Sequence, residues 1–257
     1  MNSTDQNAMS DSTNPLPPRL PATSPPLPAA GMIRLPLGED PAEQIPIPNA
    51  LAAVEAILRQ PRRVMFQLRQ PGAGRLIAAL LLSALICGLG YGLVVGTFSG
   101  GAQLWAAPVK IAAGLLITAL ICLPSLYIFS CLGGSRARLP EIFGLVAGLL
   151  SLMTVLLVGF APVAWVFSQS TQSVAVMGAL HLVFWFIATC FGLRFLCAGF
   201  VQLTARSDSG LRIWILIYLL VAAQMTTALR PMVGTADTLL PVEKKFFLRH
   251  WADCWKP

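Results

Sequence analysis

Five stretches almost free of charge constrain this chain more than anything else in it, at about residues 76–98, 108–132, 141–167, 174–205 and 211–229. Not one Asp, Glu, Lys or Arg lies between Ile142 and Leu193. Each stretch reaches the roughly 20 apolar residues that a helix needs to cross a hydrocarbon core. The expected fold class is therefore all-α. It is a polytopic membrane helical bundle with five transmembrane helices and a disordered Pro-rich N-terminal tail. Charged residues make up 11% of the chain, against about 25% in a soluble domain, and the mean hydropathy is +0.71.

The net charge of +7 is unevenly placed. Residues 1–49 hold Arg19 and Arg34 against Asp5, Asp11, Glu39, Asp40 and Glu43, a net −3, which leaves +10 for the rest. Most of that excess borders the apolar stretches, where basic residues orient a membrane protein and meet anionic lipid heads. The lipid bilayer is thus the expected partner, and no nucleic acid is expected. Arg59, Arg62, Arg63, Arg69 and Arg75 precede the first stretch, Arg136 and Arg138 the third, and Arg206 and Arg212 the fifth. The connections at 99–107 and 168–173 carry no charge. Under the positive-inside rule this alternation puts the N-terminus in the cytoplasm and the C-terminus outside, in a bacterial inner membrane. Trp105, Trp165 and Trp214 fall near span ends, where amphipathic rings favour the headgroup zone.

Four segments follow. Residues 1–49 are crowded with Pro, Ser, Thr and Asn and are expected to be a disordered cytoplasmic tail. Residues 50–70 read as an interfacial amphipathic helix, capped by Asn49 and restarted at Pro61. Val64, Met65, Phe66 and Leu68 would lie in the acyl boundary with Arg side chains on phosphates. Residues 71–230 form the five-helix domain. Residues 231–257 are expected to form a tail whose short amphipathic helix, 242–256, sets Phe247, Leu248, Trp251, Cys254 and Trp255 against Lys245, Arg249 and Lys256.

Gly88, Gly92 and Gly96 recur every fourth residue on one face of the first span, and Gly144 and Gly148 repeat the spacing in the third. Missing side chains let another backbone approach, so these are helix-packing positions, within the bundle or against a partner. Pro124 and Pro162 sit inside spans two and three and would kink them. His181 and Arg194 are candidate intramembrane polar groups, with a packing histidine and a snorkelling arginine as the plainer readings. No Asp or Glu lies deep in any span, and the chain carries no H-E-x-x-H, G-x-S-x-G or phosphate-binding loop. The six cysteines form no CxxC or Cys/His spacing, so no metal and no cofactor is expected.

Arg59-Gln-Pro-Arg-Arg-Val-Met-Phe66 leads into the first span. Residues 127–139 end the second with Gly133-Gly134, and the third span contains Pro162. On these residues the chain resembles the Yip1-domain membrane proteins, with a polar N-terminal region, a short basic stretch and five clustered spans. The resemblance covers residues 49–229. The expected function is a non-enzymatic scaffold or partner-binding subunit. Its glycine-lined faces would meet a membrane-protein partner or a second copy of the chain. The alternative is a transporter or channel for a small solute, lined by His181 and Arg194.

Overall fold

The computed structural model describes residues 36–135, 137–171, 173–203 and 209–228. They form α1 (Pro41–Gln44), α2 (Ala50–Arg59), α3 (Pro61–Leu68), α4 (Gly74–Ser99), α5 (Gln103–Leu132), α6 (Leu139–Ser170), α7 (Val174–Leu203) and α8 (Ser209–Ala228). No strand occurs among the described residues. Helices α4 to α8 are long and apolar enough to cross a membrane. Only internally hydrogen-bonded helices suit such segments in lipid, which is why apolar length alone locates them. Their bounds depart little from expectation, with one instructive exception. The apolar residues before Pro108 carry α5 back to Gln103, so Pro108 lies inside that helix rather than at its start.

Local chemistry sets the ends. Pro occupies the first turn of α1, α3 and α6, where a missing N–H costs nothing. Helix α5 closes with Gly134 at φ +73°, a conformation that disfavours any other residue. The Gly134 N–H donates to the Cys131 carbonyl at 3.0 Å, and the Ser135 N–H to the Ser130 carbonyl at 3.1 Å. This is a Schellman stop that satisfies carbonyls left over at the helix end.

The five long helices are not packed in chain order. Helix α6 is the centre, with 72% of its apolar window buried, while the other four reach at most 39%. It packs on α4 and α7; α4 packs on α5, and α5 carries α8. Helices α4 and α6 run parallel. Their seam holds small polar residues, with Ser83 Oγ 2.7 Å from Ser151 Oγ and Thr154 Oγ1 donating to the Leu150 carbonyl at 3.0 Å. Ser83 and Ser151 are expected to be coupled in a Ser→Ala double-mutant cycle read by unfolding in denaturing detergent. The expected coupling is about 0.6 kcal/mol, the usual size for an interhelical hydrogen bond in a bilayer.

Helices α2 and α3 form a collar around one end of this bundle, packed on α4 and α6. Asn49 caps α2 as expected, its side chain accepting from the Ala52 N–H at 2.8 Å. The rest of the interfacial reading needs correction. Val64, Met65 and Leu68 of α3 are buried in the protein core, together with Ala53, Ala56 and Ile57 of α2. The bundle, not the acyl boundary, covers them, because Gly144 and Gly148 leave hollows into which Leu68 and Ile57 fit. Leu51 and Leu58 of α2 remain exposed and keep an outward apolar face.

The expected tail of residues 1–49 also divides. Residues 1–35 lie outside the described residues, but 36–49 carry α1 and fold onto α3. Glu43 is buried, accepts from the Gly38 N–H and pairs with Arg62. Arg63 donates to the Ile45 and Pro46 carbonyls, both at 2.9 Å. Two guanidiniums assigned to lipid phosphates thus latch this segment instead. A polar backbone stretch beside them offers fixed acceptors at short range.

Candidate functional site

The glycine positions come first because the expected partner surface rests on them. A Cβ on Gly92 would stand 2.4 Å from Pro108 Cα, and one on Gly96 would stand 2.8 Å from the Gln103 carbonyl oxygen. Gly88 faces Ala112 and Thr154. The ladder is therefore occupied by α5, with α6 at its deep end. Gly144 meets Leu68 of α3, and Gly148 meets Phe195 of α7. All five positions pack against helices of the same chain. Gly192 and Gly199 do the same from α7, against Met153 and Leu145 of α6. These two do not stand four residues apart like the others, but their spacing of seven also keeps one face.

His181 is buried, 7% exposed, and its Nδ1 lies 2.7 Å from the Tyr91 hydroxyl. The two rings meet edge to face at 5.7 Å, and Phe184 packs on the other side. His181 Nε2 is buried without a hydrogen-bond partner among the described residues. The pair links α7 to α4 past the central helix. The sequence showed the histidine but not the tyrosine, because ninety residues separate them.

Arg194 is exposed on α7, while its neighbours Gly192 and Phe195 face α6. Phe195 and Ile57 of α2 both lie against Gly148, so Arg194 sits at the depth of the collar. An outward arginine there can reach headgroups with its stem along apolar surface. Pro124 and Pro162 lie inside α5 and α6, which run through them as unbroken helices. His181 and Arg194 are not brought together, and neither joins a proline.

Trp214 departs from its expected place in the headgroup zone. It is 1% exposed, stacks on Tyr218 at 5.3 Å and donates its indole N–H to the Cys122 carbonyl at 2.8 Å. A buried indole needs an acceptor, and α5 supplies one. Trp105 and Trp165 are exposed near helix ends, where the headgroup reading places them. Cys87, Cys122, Cys131, Cys190 and Cys197 form no disulfide, and no cluster of metal-ligating side chains occurs among the described residues. The tail helix at 242–256 and Cys254 lie outside the described residues.

Cavities lined by described residues include two between the helices. One, with about 10 Å³ of water-sized space, lies between α3, α6 and α7 beside Arg69, Glu141, Gly199 and Gln202. There Arg69 donates to the Gln202 carbonyl, and Ser135 donates to that of Leu203 at 3.0 Å, closing the end of α7. The other, partly open and with about 20 Å³ of water-sized space, lies between α5, α7 and α8. Lys110, Thr118, Trp185, Tyr218 and Thr226 line it. Neither cavity is lined by His181 or Arg194. Lys110 is buried inside the bundle, 4% exposed. No family model, curated protein or solved structure matches the chain.

Proposed function

We propose that this chain is a non-enzymatic membrane protein that works as a scaffold or partner-binding subunit. The observation that carries the reading is how its deep polar groups are used. Ser83 meets Ser151, Tyr91 meets His181, and Trp214 meets a backbone carbonyl. Each contact joins two helices, and none of these side chains lines either cavity described above. Such groups stiffen a bundle and fix its register.

Because the glycine faces are filled from within, a partner is sought on the outward surfaces, including exposed Leu51 and Leu58 of the collar. The resemblance to Yip1-domain proteins agrees with a binding role: a polar N-terminal region, a basic stretch and five spans follow in the same order. The distribution of basic residues supports an orientation with the collar end in the cytoplasm of a bacterial inner membrane and the chain's C-terminus outside.

Reconstitution in sealed vesicles tests the reading. Uptake of small neutral and anionic solutes is expected to match protein-free vesicles, while crosslinking in native membranes traps a stoichiometric partner or a second copy. Uptake that disappears in His181→Phe would establish the transporter instead. Orientation is checked at Cys254, which an impermeant thiol reagent is expected to label from outside in wild type and not in Cys254→Ser.

A further inference from the structure

We propose that α2 is embedded in one leaflet of the bilayer, with its Leu51–Leu58 edge covered by phospholipid acyl chains and its Glu55–Arg59 edge turned to their headgroups. This goes beyond the scaffold reading, does not depend on it, and leaves the remaining outward surfaces to a partner.

The depth of α2 follows from what it touches. Its Ile57 fits the hollow at Gly148, about 14 Å along α6 from the start of that helix. Glu141, the only charged residue of α6, lies about 10 Å back from Gly148 on the same count. A 32-residue helix is about 48 Å long against a hydrocarbon core of about 30 Å, so a centred α6 overhangs by about 9 Å at each end. Gly148 then stands about 5 Å inside the core, and Ile57 with it. The burial of α6 agrees. Every residue from Gly144 to Thr154 is buried, three turns without an exposed side, whereas Val158, Gly159, Pro162 and Val163 further along are exposed. Helices α2 and α3 pack on the buried half and stand where lipid would otherwise meet it.

The outward side of α2 is divided. At about 100° per residue, Val54, Leu58 and Leu51 fall within about 60° of one another. Leu51 is 79% exposed and Leu58 46%. Glu55 and Arg59 lie on the other flank, paired at 3.2 Å and both largely exposed. Ala53, Ala56 and Ile57 take the opposite side, against the bundle. At this depth a helix of three sectors has one favourable pose, with its axis along the membrane surface, the apolar edge towards the midplane and the charged edge towards water. Turned over, it would set the ion pair among acyl chains and the leucines in water, and both changes are costly. The neighbouring span shows lipid-facing surface at nearly the same level. Ser83 of α4 meets Ser151, three residues beyond Gly148, and Leu82 beside it is exposed. In this pose Arg59 reaches the phosphates of the same leaflet.

The test reads the surroundings of single side chains. An environment-sensitive fluorescent amino acid is placed, one position at a time, at Leu51, Glu55, Leu58 or Ile86 of the full chain, which is reconstituted in vesicles of phosphatidylethanolamine and phosphatidylglycerol. All four positions are exposed, so the bundle should tolerate the probe. Probes at Leu51 and Leu58 are expected to be quenched severalfold more strongly by lipids brominated in the acyl chain than by aqueous acrylamide, as at Ile86 in the middle of α4. The probe at Glu55 should show the reverse order. Acrylamide quenching at Leu51 and Leu58 equal to that at Glu55 would lift α2 out of the leaflet and overturn the proposal. Weak quenching of both leucine positions by both agents also overturns it, because in these vesicles a second copy of the chain would then cover the edge.

Discussion

Gly92→Leu is expected to give little or no folded protein, while Gly90→Leu, two residues away, folds as wild type. The contrast follows from what each new side chain would meet. On Gly92 even a Cβ would stand 2.4 Å from Pro108 Cα and 2.9 Å from Pro108 N. Those are backbone atoms of a proline, with no rotamer to change, so α4 and α5 would have to separate. Gly90 has nothing within 4 Å and faces outward. Overpacking a well-filled interior costs about 1–3 kcal/mol where side chains can move, and here they cannot, so the loss should lie at or above the top of that range. Yield of monodisperse protein in mild detergent and its thermal midpoint check both variants. A Gly92→Leu protein as stable as Gly90→Leu would mean that the α4–α5 contact is not as close as it stands here.

Trp214→Ala is expected to destabilise the bundle by about 3–5 kcal/mol, the usual cost of emptying a large aromatic site. The indole is the anchor of α8. It fills the α5–α8 seam, stacks on Tyr218 and ties α8 to the Cys122 carbonyl. Trp214→Phe keeps most of the volume and loses the hydrogen bond, so it should cost about 1 kcal/mol. Unfolding in denaturing detergent, followed through proteolysis between α7 and α8, would report the loss. If the two variants were equally stable, volume at this site would not matter and the buried position of Trp214 would be wrong.

The bundle itself was legible because lipid leaves a long apolar segment one way to satisfy its backbone. Rotation of each helix about its axis was not. A span that is apolar on every face carries no stripe to say which side is buried, and Trp214 shows the consequence: its sequence position suggested an interface, its rotation puts it in the core. Glycine is the exception, since a missing side chain marks a close approach whatever surrounds it. Hence Gly88, Gly92, Gly96, Gly144 and Gly148 could be read as packing positions, although their partners could not. The same limit hid Tyr91 behind His181 and Ser83 behind Ser151, pairs joined across distant parts of the chain. In the collar, Arg62 and Arg63 were read as lipid contacts because nothing local shows that residues 36–46 return to them.

The pairing of α4 with α6 also governs how the protein is made. When α4 enters the bilayer its main neighbour has not been synthesised. Translation must first pass through the 30 residues of α5, a delay of about 2–6 s at ordinary elongation speeds. During that interval Ser83 faces acyl chains without Ser151, and α5 already holds the glycine face. Helix α6 then has to dock parallel to α4 on the side that α5 leaves free. Pulse-labelled membranes stalled after α5 should therefore contain a protease-sensitive α4–α5 hairpin. Resistance should arrive only once α6 has emerged.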